Sequence, residues 1–102
     1  MTTQPKVLNL LAREIAAYRE GKGFVTSWEN MPEKLCLVHS EVSEALEGYR
    51  KDDRANFAEE IADTIIRCLD ITGSLGIDIE AEIQNKMERN RNREYRHGGK
   101  RC

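Results

Sequence analysis

Two pairs of acidic residues at helical spacing constrain this chain more than any other feature. Glu41 and Glu44 are three residues apart, as are Glu60 and Asp63, so each pair lies on one face of a helix. Apolar residues flank both pairs, so each acidic face borders a core. Two such carboxylates repel each other by about 4 kcal/mol at about 4 Å and an effective dielectric of about 20. A divalent cation is the simplest compensation, and an all-oxygen site suits Mg²⁺ or Mn²⁺.

Apolar residues recur at spacings of three and four in four segments, which predicts an all-α fold. The first expected helix covers roughly residues 6–20, and the second runs from Pro32 to about Arg50. A third helix is capped by Asp52 or Asp53 and ends near Gly73 and Gly76. A fourth helix is capped by Asp78. The short connection after Arg50 makes the second and third helices antiparallel neighbours. The two acidic pairs should therefore meet in space.

Each predicted helix carries an apolar stripe, and together these stripes form the core of a small bundle. Their members are Leu35, Val38, Val42, Ala45 or Leu46, and Tyr49 in the second helix, Phe57, Ile61, Ile65 and Leu69 in the third, and Ile79, Ile83 and Met87 in the fourth. A chain of 102 residues forms one small domain, here residues 1–102. Such a domain buries a limited core, so we expect oligomerisation to complete the bundle. Residues 96–102 are expected to form a flexible tail or to wrap onto a partner.

Composition excludes several classes of protein. No stretch is long and apolar enough to span a membrane, and the first residues lack the apolar core of a signal peptide, which predicts a cytoplasmic protein. Three widely spaced cysteines argue against a disulfide framework. The net charge of −2 and the absence of a recognised motif argue against nucleic-acid binding.

A second group of candidate residues lies near the C-terminal end. Lys86, Asn90 and Arg93 are spaced i, i+4 and i+7, so on a continuous helix they share one face that could bind phosphate. The alternative is a solvated basic helix end, which the helix dipole favours. Trp28, the single tryptophan, lies in the loop of residues 23–30. It could stack on a nucleobase, although such a residue more often fills a core or an interface.

Alternatives to a magnesium site remain open from the pattern alone. Glutamates are common on solvated helix faces, and a single E-x-x-E carries almost no information. A di-iron carboxylate site needs an E-x-x-H motif on two helices. His39 and His97 complete neither motif.

Three segments together resemble a known family. They are E-V-S-E-A-L-E (41–47), E-E-I-A-D (59–63) and K-M-E-R-N-R-N-R (86–93). They resemble the MazG-like, all-α nucleoside triphosphate pyrophosphohydrolases, which show E-x-x-E, a spacer, E-x-x-D, and later a Lys and an Asn. The resemblance covers roughly residues 30–97. It implies a four-helix MazG-like bundle, assembled as a homodimer or homotetramer, that hydrolyses a nucleoside or deoxynucleoside triphosphate to the monophosphate and pyrophosphate with Mg²⁺.

The resemblance also implies roles for individual residues. The family's metal ligands match Glu41, Glu44, Glu60 and Asp63, with Glu59 as the alternative if the register shifts by one residue. One of Glu41 or Glu44 could act as the general base instead. The phosphate-side residues match Lys86 and Asn90, and more weakly Arg93, whereas Trp28 rests on the stacking argument only. The competing hypothesis is a non-catalytic helical module that senses nucleotides or binds a protein.

Overall fold

The computed structural model describes residues 6–93, and in that range the chain folds into four helices and contains no strand. The helices are α1 (Val7–Gly21), α2 (Met31–Arg50), α3 (Arg54–Leu75) and α4 (Ile79–Arg91). This confirms the all-α prediction. The expected tail of residues 96–102 lies outside the described residues. None of the helices described between residues 6 and 93 has the length and apolar character needed to cross a membrane.

The helix boundaries follow from local backbone chemistry. The side chain of Asp53 accepts a hydrogen bond from the backbone N–H of Asn56 at 3.0 Å, so Asp53 and not Asp52 caps α3. Asp78 caps α4 in the same way through the N–H of Ala81 at 3.1 Å. At the end of α3, Gly76 has a φ of 68°, a left-handed conformation that suits glycine.

The central helix is α3, which packs on α2 along one side and on α1 along another. Glycines allow these close approaches. A Cβ atom on Gly48 of α2 would lie 3.0 Å from the backbone nitrogen of Phe57, and one on Gly73 of α3 would lie 2.2 Å from the carbonyl oxygen of Ala12. Helix α4 packs on α1, and the side chain of Asn9 binds Asp78 at 2.7 Å. Glycines therefore bring α2 and α1 close to α3, whereas polar side chains join α4 to α1.

Most of the predicted apolar stripe residues lie on the open faces of α2 and α3. Exposed members include Leu35, Val42, Leu46, Tyr49, Phe57, Ile61 and Ile65. Only Ala45 and Leu69 of the two stripes are buried. The buried positions of α2 also include Lys34 and Glu41. The buried positions of α2 are thus mostly small or charged, and many large apolar side chains stay uncovered in a single chain.

Substitution of Gly73 by alanine should destabilise the fold. The added methyl group would overlap the backbone of α1, and overpacking of this kind costs about 1–3 kcal/mol. For a domain of this size we expect the melting temperature to fall by about 5 °C or more. Gly21→Ala is the matched control, because Gly21 is also helical and a Cβ there meets nothing within 4 Å. Equal melting temperatures for the two variants would contradict the α1–α3 contact.

Candidate metal centre

Helices α2 and α3 bring three of the four predicted acidic ligands to one point. Glu41, Glu60 and Asp63 each offer a carboxylate oxygen, and these oxygens all lie within 4.8 Å of one another. Glu41 is buried on α2, Glu60 is half-buried on α3, and Asp63 is exposed one turn further along α3. Glu59, the alternative ligand of the sequence analysis, is exposed and lies outside this group.

The pKa of Glu60 reflects burial and the repulsion among the carboxylates of the cluster. Burial, together with the nearby carboxylates of Glu44 and Glu41, raises the pKa of Glu60 from 4.5 to about 7. Its Oε2 atom is buried and has no hydrogen-bond partner within residues 6–93. Glu44 is exposed and helps to raise the pKa of Glu60. It is not one of the three residues whose carboxylate oxygens lie within 4.8 Å of one another.

The residues present fit a hard divalent cation. The donors are all carboxylate oxygens, which is the ligand chemistry that Mg²⁺ and Mn²⁺ prefer. Glu60 Oε2 is a buried acceptor without a donor, and a cation would satisfy it. The mutual proximity of the three carboxylates is likewise unfavourable without a positive charge among them. The holding residues would be Glu41, Glu60 and Asp63.

Arg67 belongs to the same cluster, and the sequence analysis did not identify it. Its Nε atom lies 3.4 Å from Oε1 of Glu41, across the contact between α3 and α2. Arg67 follows Asp63 by four residues and Glu60 by seven, which places all three on one face of α3. That spacing was the signal that could have found it.

A second charged residue on α3 anchors the loop between α1 and α2. Asp70 is buried and accepts a hydrogen bond from the hydroxyl group of Thr26 at 2.6 Å. Arg19 of α1 pairs with the same carboxylate, with its Nε atom 3.3 Å away. The hydroxyl of Ser74 is a weaker donor to it at 3.3 Å. Asp70 therefore ties the loop to the helix that carries Glu60 and Asp63.

The anchored loop presents Trp28 to solvent. The side-chain amide of Asn30 donates to the carbonyl of Val25 at 2.8 Å, and its oxygen accepts from the N–H of Ser27 at 2.9 Å. Trp28 sits within this closed turn and is 74% exposed. A role for Trp28 in the core of its own chain is thereby excluded, whereas an interface role and a stacking role both stay open.

The predicted phosphate residues lie on α4 and just beyond its end. Helix α4 ends at Arg91, so Lys86 and Asn90 are helical and Arg93 follows the helix end. Within residues 6–93, no side-chain hydrogen bond or ion pair joins Lys86, Asn90 or Arg93 to α2 or α3. Lys86 instead lines a shallow hollow of about 380 Å³ on α4, together with Arg89.

Comparison with known proteins identifies the family. The family model described as MazG-like matches residues 33–101, about two thirds of the chain, so this protein belongs to the MazG-like family. The match spans α2, α3 and α4, including the four acidic residues, and leaves out the loop with Trp28. No curated protein and no solved structure matches the chain.

The raised pKa of Glu60 predicts a pH-dependent stability of the metal-free protein. The folded state holds the Glu60 proton up to a pH of about 7, whereas an unfolded chain releases it near 4.5. The folded state therefore binds more protons between these values, and stability should fall as the pH rises through that window. Thermal melts in a chelator should show this decline for the wild type.

Glu60→Gln removes the titrating group and should flatten the decline. The variant should also melt above the wild type at pH values beyond the pKa of about 7, because the repulsion with Glu44 and Glu41 is gone. Glu59→Gln, on the neighbouring exposed residue, is the control and should keep the wild-type slope. If the Glu60 and Glu59 variants show the same pH dependence, the cluster does not raise the pKa of Glu60.

Proposed function

We propose that this protein is a metal-dependent nucleotide pyrophosphohydrolase that hydrolyses a nucleoside or deoxynucleoside triphosphate to the monophosphate and pyrophosphate. The observation that carries the proposal is the convergence of Glu41, Glu60 and Asp63 within 4.8 Å, in a chain of the MazG-like family. The buried oxygen of Glu60 without a partner supports a cation at this point, and Mg²⁺ is the cation that the donor set favours.

The four carboxylates divide between two tasks in this proposal. Glu41, Glu60 and Asp63 would hold Mg²⁺, which would withdraw charge from the phosphate oxygens and help to neutralise the leaving group. Glu44 is exposed and lies beside the group, so it acts as the general base. It takes a proton from a water molecule whose oxygen attacks the α-phosphorus. The bond from that phosphorus to the bridging oxygen breaks, and pyrophosphate leaves.

The nucleoside would be bound by the loop between α1 and α2. Trp28 offers an exposed aromatic face on a turn that Asp70 and Asn30 hold in place. Stacking on such a face is favourable for every base, because each base has a π-surface. A fixed turn lowers the entropy lost when the base is bound. This argument supports a nucleotide substrate without selecting the base or the sugar.

The active form in this proposal is a homodimer or a larger homo-oligomer. Exposed apolar residues on both α2 and α3 leave a surface that a second copy of the chain could cover. Lys86 and Asn90 lie on α4, which packs on α1. We assign them to the phosphate groups bound at the acidic cluster of the partner chain, where their charge and donors complete the site.

Asp63→Asn should abolish turnover and leave the fold intact. The variant loses a metal ligand, so the hydrolysis rate should fall by about a hundredfold or more. Its metal-free melting temperature should be unchanged or higher, because one repulsive charge is removed and Asp63 has no ion-pair partner within residues 6–93. Glu41→Gln should be equally inactive without that gain, since it also breaks the pair with Arg67.

The measurement is product release from a panel of triphosphates with Mg²⁺, with pyrophosphate and orthophosphate assayed separately. Glu59→Gln is the matched control and should keep wild-type activity. Release of orthophosphate without pyrophosphate would contradict the proposed bond cleavage. A wild-type chain that binds no Mg²⁺ or Mn²⁺ and releases neither product would instead support the non-catalytic helical module.

Mixing two impaired variants should restore activity if chains share their sites. Lys86→Ala should lower the rate by about ten- to a hundredfold, the cost of one charge-assisted hydrogen bond. In a mixed dimer with Asp63→Asn, one site carries both defects and the other carries none. Random assembly of a two-fold dimer should therefore recover about a quarter of the wild-type activity.

The experiment uses two differently tagged chains that are produced together, with sedimentation to confirm the dimer. Arg91→Ala is the control for Lys86, because it removes one positive charge from the same helix at a residue paired with Glu88. Arg89 is unsuitable as a control, since it lines the same hollow as Lys86. A monomer with full activity, or mixed dimers without recovery, would contradict the shared site.

A further inference from the structure

One cation of the chain itself already lies at the acidic cluster. Arg67 pairs with Glu41 at 3.4 Å, and this is its sole ion pair within residues 6–93. The Arg67 side chain is 27% exposed and that of Glu41 is 12% exposed, so the pair lies at the edge of the cluster and is partly open to solvent. Such a position is accessible to a ligand that approaches the three carboxylates.

The role of the Arg67–Glu41 ion pair is expected to differ between the metal-free and the metal-bound protein. A guanidinium stays charged at any physiological pH and carries five N–H donors, of which the contact with Glu41 involves the one on Nε. Without a metal, the positive charge of Arg67 offsets part of the repulsion among the carboxylates. A divalent cation among the carboxylates would be repelled by the same charge and would compete with Arg67 for Glu41.

We propose that Arg67 is a phosphate-binding residue of this site, paired with Glu41 while the metal is absent and with an oxygen of the triphosphate once the metal and substrate are bound. The proposal rests on the proposed function, because it takes the substrate to be a polyphosphate. Arg67 supplies phosphate binding from α3 of the same chain, beside the metal ligands. Its planar fork matches phosphate oxygens in a bidentate way.

The alternative is that Arg67 only positions Glu41 for the metal. The two roles predict opposite effects on metal affinity. A residue that positions a ligand strengthens metal binding, so its loss weakens the affinity. A cation that leaves its partner when the metal arrives opposes metal binding through charge repulsion, so its loss leaves the affinity unchanged or raises it. The loss of Arg67 weakens phosphate binding to the metal-loaded protein only if Arg67 has the proposed role.

The test measures both affinities by titration calorimetry on the full chain. Mg²⁺ is titrated first, and inorganic triphosphate is then titrated into protein held at saturating Mg²⁺. Inorganic triphosphate carries no base, so the unknown base preference does not enter. The variants are Arg67→Gln, Arg67→Lys and Arg50→Gln. Arg50 is the matched control, because it is an exposed arginine paired with Glu47 at 2.7 Å on α2, outside the cluster.

For Arg67→Gln we expect unchanged or tighter Mg²⁺ binding and about ten- to a hundredfold weaker triphosphate binding. Arg67→Lys keeps the positive charge and loses the planar guanidinium group. Its affinity for triphosphate should therefore lie between the affinities of Arg67→Gln and the wild type. Arg50→Gln should match the wild type in both titrations. The lysine variant also keeps a cation beside Glu41, so it covers the case in which Arg67→Gln does not fold.

Two results would overturn the proposal while the proposed function stands. One is weaker Mg²⁺ binding by the Arg67 variants with unchanged triphosphate affinity at saturation, which would make Arg67 a residue that positions Glu41. The other is wild-type behaviour of both variants, which would make the contact a surface ion pair. A wild-type chain that binds neither Mg²⁺ nor triphosphate would overturn the proposed function as well, and the same experiment reports it directly.

Discussion

The repulsion between carboxylates enclosed by α2 and α3 is the constraint on which the rest of this structure depends. Glu41, Glu60 and Asp63 place oxygens within 4.8 Å of one another, and Glu60 responds with a pKa raised to about 7. Such an arrangement is unfavourable in isolation, so other parts of the fold must hold the two helices together. The short turn that Asp53 caps fixes the antiparallel pairing, and Gly48 lets α2 approach the backbone of α3 closely. The cluster is thus maintained by backbone geometry that does not depend on the carboxylates themselves.

The charged contact has a consequence for the apolar residues. Most buried positions of α2 hold charged or small side chains, and larger apolar residues such as Leu46 of α2 and Ile65 of α3 remain exposed. Burial of apolar area is the main favourable term in folding, at about 25 cal/mol per Å². Association with a second copy would bury apolar area that a single chain leaves exposed. The same packing that brings the carboxylates together therefore also leaves an apolar surface that a second copy would cover.

The sequence predicted the helices well because their signals are local. Caps at Asp53 and Asp78, the glycine at position 76 and the spacing of the acidic pairs each act within a few residues. It did not predict which faces are buried, because periodicity shows that a helix has an apolar stripe and not which neighbour covers it. Arg67 and Asp70 were missed for a related reason. Each contacts a residue far away in sequence, Glu41 and Thr26 respectively, so helical spacing places them on the face of Glu60 and Asp63, but only the packing of α3 identifies their partners.

One face of α3 joins these contacts in order along the helix. Glu60, Asp63, Arg67 and Asp70 recur at spacings of three and four, so their side chains follow one another along the same side. The first two belong to the carboxylate cluster, Arg67 reaches across to α2, and Asp70 holds the loop that carries Trp28. In the proposed function, the same order places metal, phosphate and base contacts in sequence along one rigid element. A rigid helix fixes the spacing between such contacts more accurately than separate loops can, because its rise per residue is constant. A nucleotide bound along this face would therefore be aligned by the geometry of α3, and α4 of a partner chain would need only to close the phosphate end.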